Sequence, residues 1–169
     1  MAWTAPRTWV ATNVLTAAQL NTDVRDNSLA LYATATSYTP TLGVWTLGNG
    51  TATGYYGQSG PLVFFWANIT FGSTSVFTAG EPTITLPVAP NSTYTTENSI
   101  RVTMRASLAD NSGSGEQTAS CYNLSGSTVK VLYHNATGTP ITGSVLSSTA
   151  PFTWATSDQI RIGGFYWVA

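Results

Sequence analysis

Residues Pro61–Phe71 read PLVFFWANITF. Taken by twos, Val63, Phe65, Ala67, Ile69 and Phe71 fall on one side, the period of a β-strand. Leu62, Phe64 and Trp66 make the other side apolar as well. The last strand repeats the pattern, with Ile160, Ile162, Tyr166 and Val168 on one side and Phe165 and Trp167 on the other. Ser99–Leu108 behaves differently. There Ile100, Val102, Met104, Ala106 and Leu108 alternate with Arg101, Thr103, Arg105 and Ser107, so one face is buried and one is wet. A strand apolar on both faces needs a second cover besides its own core. The domain's own loops are one candidate and a second copy of the chain is the other, simpler one. Leu62, Phe64, Trp66, Phe165 and Trp167 are therefore expected at a subunit interface.

Further strands are expected near Val44–Leu47, Thr51–Tyr56, Thr83–Leu86, Thr118–Leu124, Thr128–His134 and Phe152–Ala155, with the last strand over Gln159–Val168. Gly48-Asn49-Gly50, Ser59-Gly60-Pro61, Asn111–Gly115, Ser125-Gly126 and Thr137–Pro140 supply the turns between them. Many short strands with Gly-rich and Pro-rich turns predict a mainly β protein, an antiparallel β-sandwich or jelly roll. No short internal repeat points to a propeller or solenoid.

The composition fits one main domain. The chain has 169 residues, 43% hydrophobic and 12% aromatic, enough for a real core. Charged residues are only 8%, where an average soluble domain has roughly 25%. Thr, Ser, Asn and Gly take their place, which suits a protein packed in an assembly or on a particle surface. A net charge of −1 offers no basic footprint for nucleic acid. No apolar run approaches the length of a membrane span, and MAWTAPRTWVA does not read as a signal peptide. Synthesis and assembly in a cytoplasm are expected.

The opening segment differs from the rest. Thr16-Ala17-Ala18-Gln19 fits a capping box, and Leu15 and Leu20 sit where a hydrophobic staple would form. Leu20, Val24, Asn27 and Leu31 then recur at heptad spacing, with Asn27 the one polar interruption. This helix either packs on its own β-domain or self-associates near a symmetry axis, where a buried Asn can set register. Ahead of it, Trp3 and Trp9 flank Pro6 on an extended arm. The two indoles either tuck against the helix or enter a partner, and because the arm has little sequence with which to bury them, a partner is expected. The resulting organisation is an arm and helix over 1–33, a linker over 34–43 and a β-domain over 44–169.

The segments WTAPRTWVA and VLTAAQLNTDVRDN resemble the N-terminus of many virion proteins of tailed bacteriophages, especially those infecting actinobacteria. GNGTATGYYGQSGPLVFFWANITFGSTS and APFTWATSDQIRIGGFYWVA are similar to their C-terminal β-domains, on Gly placement and aromatic strands. Together these segments cover about half the chain. The resemblance implies a non-enzymatic particle protein on the virion exterior, often trimeric, docked by its N-terminus on the major capsid protein or on tail proteins. Trp3, Pro6 and Trp9 would then belong to a virion anchor. Head decoration, minor tail and tail-fibre roles all occur with this opening. The chain is short and has no long shaft, which favours a trimeric capsid decoration protein over a tail fibre.

Residues with chemistry are sparse. His134 is the single histidine, no G-x-S-x-G elbow is present, and Cys121 alternates with small residues as core filling. One cysteine excludes an intramolecular disulfide and a cysteine-rich metal site. The acids Glu81, Glu97, Asp110, Glu116 and Asp158 fall in expected loops or at strand ends, where carboxylates are usually solvated. Asp110–Glu116 reads as a hairpin tip, because an EF-hand calcium loop needs more acids and greater length. No cofactor or metal is expected. The five N-x-S/T sequons, at Asn49, Asn68, Asn91, Asn123 and Asn135, imply no glycans without a secretory signal. Binding of host-surface carbohydrate is the main functional rival, with Tyr55, Tyr56, Tyr94, Trp154 and Trp167 as candidate stacking rings.

Overall fold

Ten strands pair antiparallel into one sheet. They are β1 (Thr36–Tyr38), β2 (Leu42–Gly43), β3 (Thr51–Ser59), β4 (Leu62–Thr70), β5 (Thr83–Thr85), β6 (Met104–Asp110), β7 (Gly115–Ser125), β8 (Thr128–Asn135), β9 (Thr142–Val145) and β10 (Gln159–Trp167). The computed structural model describes residues 5, 7–31, 35–91, 103–113, 115–135 and 142–168. The order across the sheet is β1-β3-β4-β10-β6-β7-β8-β5-β2, with β9 also on β8. Its two end strands, β1 and β2, are consecutive in the chain. Only Thr39, Pro40 and Thr41 separate them, so the sheet must curl until its ends nearly meet. The mainly β, sandwich-like architecture expected from the sequence is the one observed.

Alternation builds the core. Val63, Phe65, Ala67 and Ile69 of β4 point inward with Ile160, Ile162 and Tyr166 of β10, Met104, Ala106 and Leu108 of β6, and Cys121, Val129 and Val131 of β7 and β8. Trp45, Phe71, Phe77, Phe152 and Trp154 add an aromatic cluster with ring centroids 4.6–6.4 Å apart. The Trp45 indole N–H donates to the carbonyls of Thr78 and Gly80 at 3.0 Å, and Trp154 donates to that of Ser147 at 3.0 Å. These bonds let two large polar-tipped rings be buried without an orphaned donor.

Several boundaries differ from expectation. Val44–Leu47 is not a strand: Val44 takes φ 71°, and a single bridge joins Thr46 to Val76 while Trp45 turns into the core. Phe152–Ala155 is a loop, apolar because its rings plug the aromatic cluster. β6 begins at Met104, and 99–102 lie outside the described residues. The segment expected as a linker, 34–43, contributes β1 and β2, with Pro40 buried between them. Gly54 makes room for β1, since a Cβ there would stand 2.4 Å from the Tyr38 ring. Asp158, expected to be solvated, is fully buried. Its carboxylate accepts the backbone N–H of Ser112 at 3.1 Å and of Ala155 at 2.7 Å, tying the β6–β7 turn to the loop before β10.

The N-terminal helix runs from Ala17 to Leu31. It comprises α1 (Ala17–Leu20), a π-helical turn (Asn21–Asp26) and α2 (Asn27–Leu31). Both bonds of the capping box form, between Thr16 and Gln19. The Thr22 hydroxyl donates to the Ala18 carbonyl at 3.1 Å, a back-bond that competes with the regular ladder and favours local widening. α2 lies beside β3.

Candidate functional site: an exposed aromatic face

Three neighbouring strands place nine outward residues in a grid. The two-residue turn at Gly60-Pro61 sets Ser59 opposite Leu62, and counting back pairs Gly57 with Phe64 and Tyr55 with Trp66. On the other side β10 sets Trp167 opposite Leu62, Phe165 opposite Phe64 and Gly163 opposite Trp66. The rows are therefore Ser59-Leu62-Trp167, Gly57-Phe64-Phe165 and Tyr55-Trp66-Gly163. Six of the nine positions are apolar or aromatic, two are glycine and one is serine.

The rings on this face are open to solvent. Exposure is 52% for Phe64, 50% for Tyr55, 46% for Trp66, 41% for Phe165 and 39% for Trp167. Leu62 is half-buried. Tyr55 and Trp66 stack with centroids 6.5 Å apart and planes 18° apart, and Phe64 and Phe165 meet at 6.0 Å. An aromatic side chain carries about 150–250 Å², so these five expose on the order of 450 Å². At about 25 cal/mol per Å², on the order of 11 kcal/mol of hydrophobic free energy is unrealised there. A patch of this size matches the largest patch of a typical monomer, roughly 300–600 Å², and such patches are often functional. No Cβ fills the positions beside Phe64 and Trp66, because Gly57 and Gly163 occupy them, and nothing stands within 4 Å of where a Gly57 Cβ would be. A shallow recess at Gly57 therefore flanks Phe64, whereas a Cβ at Gly163 would stand 3.2 Å from the Phe65 carbonyl oxygen and 3.7 Å from the Trp66 ring.

One end of the grid is polar. The next row holds Thr53, Asn68 and Arg161. Arg161 donates to the Gln159 side chain at 2.9 Å and reaches Glu116 at 3.5 Å, while Glu116 also bonds Ser107. Such exposed pairs add little stability but keep this end of the face wet.

The expected interface residues Leu62, Phe64, Trp66, Phe165 and Trp167 thus share one surface. Tyr55 belongs with them; its place followed from the hairpin register, which counting from Ser59-Gly60-Pro61-Leu62 supplies. Of the sugar-stacking candidates, Tyr55 and Trp167 are exposed. Tyr56 is half-buried edge-on to Tyr38, Trp154 is buried, and Tyr94 lies outside the described residues.

The N-terminal candidates separate. Trp3 and Pro6 lie outside the described residues. Trp9 is 43% exposed, with the Arg7 guanidinium 5.4 Å from its ring centre, and Arg7 pairs with Asp23 on the helix. Leu20 and Val24 are exposed, whereas Asn27 is buried and donates to the Asp23 carbonyl at 3.2 Å. The Leu31 side chain lies outside the described residues. The heptad seam of Leu20, Val24, Asn27 and Leu31 presumes a uniform α-helix. In the π turn, bonds run i→i+5 and each turn takes roughly between four and five residues. That wider turn rotates Asn27 away from Leu20 and Val24, so these three do not share a face.

Several polar groups elsewhere are occupied structurally. His134 Nε2 lies 3.0 Å from the Ser120 hydroxyl across β7 and β8, a pairing the sequence did not signal. Ser120 is only 4% exposed, so its oxygen is closed to a substrate and the pair acts as a cross-strand tie. Glu81 accepts from Tyr122 and from Lys130, the latter at 2.9 Å. In the β6–β7 turn, Asp110 Oδ1 accepts the Ser112 hydroxyl at 2.8 Å and the Gly113 N–H at 2.6 Å, bonds of a hairpin tip. Burial pushes the Cys121 thiol up to about 12, which leaves it protonated and unreactive at neutral pH. Among the described residues no group of three or more His, Cys, Asp and Glu side chains could hold a metal, and no helix is long and apolar enough to cross a membrane.

No family model, curated protein or solved structure matches the chain.

Proposed function

We propose that the chain is a non-enzymatic structural protein on the exterior of a tailed-phage virion. In this reading it is a homotrimeric capsid decoration protein, docked through its N-terminal segment on the major capsid protein or on tail proteins. The observation that carries the reading is the aromatic face of Tyr55, Phe64, Trp66, Phe165 and Trp167. About 450 Å² of aromatic surface open at one place is as large as the biggest patch of a typical monomer, and patches of that size often serve binding. The buried, hydrogen-bonded state of Ser120 and Asp158 and the raised thiol of Cys121 also favour a scaffold over a catalyst. Attachment through the N-terminus rests on the resemblance of that segment and on the exposure of Trp9, Val10 and Val14.

A second reading is a minor tail or tail-fibre protein that holds host-surface carbohydrate. The stacked Tyr55 and Trp66 rings, bordered by Thr53, Asn68 and Arg161, favour it, since flat rings beside hydrogen-bonding groups suit a sugar. Cryo-electron microscopy of the particle separates the two. Density for this chain over the capsid as three-fold clusters is expected. Density at the tail tip, together with oligosaccharide binding lost in Trp66→Ala, would replace the first reading by the second.

A further inference from the structure

At the edge of the sheet the surface sinks into a cavity of about 210 Å³ between β1 and β3. The pairs that build it are Ser37 with Tyr55 and Tyr38 with Gly54. Tyr38 packs against the core, so Ser37 and Thr39 on either side of it face outward by strand alternation. One further step of the same register brings Thr39 level with Thr53. Ser37, Thr39, Thr53 and Tyr55 all line the cavity.

Three hydroxyls and one ring therefore converge. Among the described residues, the hydroxyls of Ser37, Thr39 and Thr53 have no hydrogen-bond partner in the chain. Thr41, Thr74 and Thr78 commit theirs to the fold, on Thr85, Asn49 and the Val44 carbonyl. Tyr55 is braced from one side only. Trp66 of β4 stacks with it, planes 18° apart, and β1 lies across β3 from β4. The other face of the Tyr55 ring is thus turned toward the cavity. The lining is uncharged. Arg161 stands two strands away on β10, engaged with Gln159 and Glu116.

We propose that this cavity seats one uncharged pyranose unit of a glycan. The apolar C–H face of the sugar lies on Tyr55, and its hydroxyls bond Ser37, Thr39 and Thr53. The proposal rests on the carbohydrate reading above for its ligand class and adds the seat, the hydroxyls and the neutrality of the unit. Each lining hydroxyl both donates and accepts, which matches the hydroxyls of a sugar. An anion would call for a cation, and the lining has none. A purely apolar ligand would strip water from three hydroxyls and return no bonds. Size points the same way: drug-sized ligands fill about 300–1,000 Å³, and this cavity suits a single ring. Because Trp66 already holds the Tyr55 ring, little ordering is needed on binding.

Saturation-transfer difference NMR on the full-length chain tests the seat. The probes are methyl glucoside, methyl galactoside, methyl mannoside and N-acetylglucosamine, with glucuronate as the charged counterpart. At least one neutral probe should bind with a Kd on the order of 1 mM, as a small shallow site allows. Glucuronate should bind at least about tenfold more weakly, for want of a cation. Ser37→Ala and Thr53→Val should each weaken binding about three- to tenfold, with Tm unchanged, and together abolish it. Thr118→Val, on the same outer face but distant on β7, should bind as wild type does. If Thr53→Val disturbs β3, Ser37→Ala with Thr39→Ala makes the same test. Binding kept in these variants but lost in Trp66→Ala would put the sugar over the stacked rings, which overturns the seat and leaves the carbohydrate reading standing. Glucuronate bound more tightly than every neutral probe would overturn the neutral class. No binding of any probe at tens of millimolar would overturn the seat and the carbohydrate reading together.

Discussion

Replacing Trp66 by threonine isolates what the aromatic face does for assembly. Threonine keeps the strand preference of the site, so the backbone of β4 is retained. The exposed 46% of the indole amounts to about 115 Å² if the side chain carries about 250 Å². Covering that area in an interface contributes about 3 kcal/mol, so its loss should weaken each contact by about a hundredfold. The remaining half of the ring, stacked near Tyr55, supports the fold itself, and losing it should cost about 2–3 kcal/mol of folding stability. Sedimentation velocity over a concentration series reads the first quantity, and a urea titration reads the second. Wild type should be trimeric at micromolar concentration, Trp66→Thr a folded monomer over the same range, and Arg105→Ser still trimeric. A folded Trp66→Thr that associates as tightly as wild type would refute the reasoning, because the face would then lie outside every contact between copies.

Three further outcomes follow from the interior. Gly164 has φ 154° and a Cβ there would stand 2.1 Å from the Thr103 carbonyl oxygen, so Gly164→Ala should lose about 2–4 kcal/mol and lower Tm by roughly 5–15 °C in a calorimetric scan. Asp158→Ala strands the backbone N–H groups of Ser112 and Ala155 in the interior and should cost about 2–4 kcal/mol by denaturant titration, whereas Glu116→Ala at the surface should cost under about 0.5 kcal/mol. Burial raises Cys121 from 9.0 to about 12 and Tyr166 from 10.0 to about 12, so the folded state holds these protons longer than the unfolded chain. The contribution of these two groups should therefore be level below about pH 9 and should lower stability as pH rises from 9 toward 12. Cys121→Ala should flatten part of that slope in a Tm-against-pH series, and an unchanged slope would count against burial as the cause.

The sequence alone determined the strand faces. Strict alternation in Leu62–Thr70 and Gln159–Trp167 fixes which side chains share a side, because the period of a strand is two whatever it packs against. It also determined the hairpin at Gly60-Pro61, the capping box at Thr16 and Gln19, and the apolar second face of two strands, all of which depend on neighbours close in the chain. What it left open required partners far along the chain. That β10 inserts between β4 and β6, so that Phe165 and Trp167 join Phe64, Trp66 and Tyr55, is a matter of long-range pairing with no local signal. The short strands β1 and β2 form where the curled sheet offers them edges at β3 and β5, and segments of three and two residues are too short to show a strand period in the sequence. Asp158 became an interior clamp because two remote loops converge on it, and Asn27 turned inward because one π turn changed the phase of the helix. Local periodicity sets which way a side chain points; only the closed tertiary structure decides what stands in front of it.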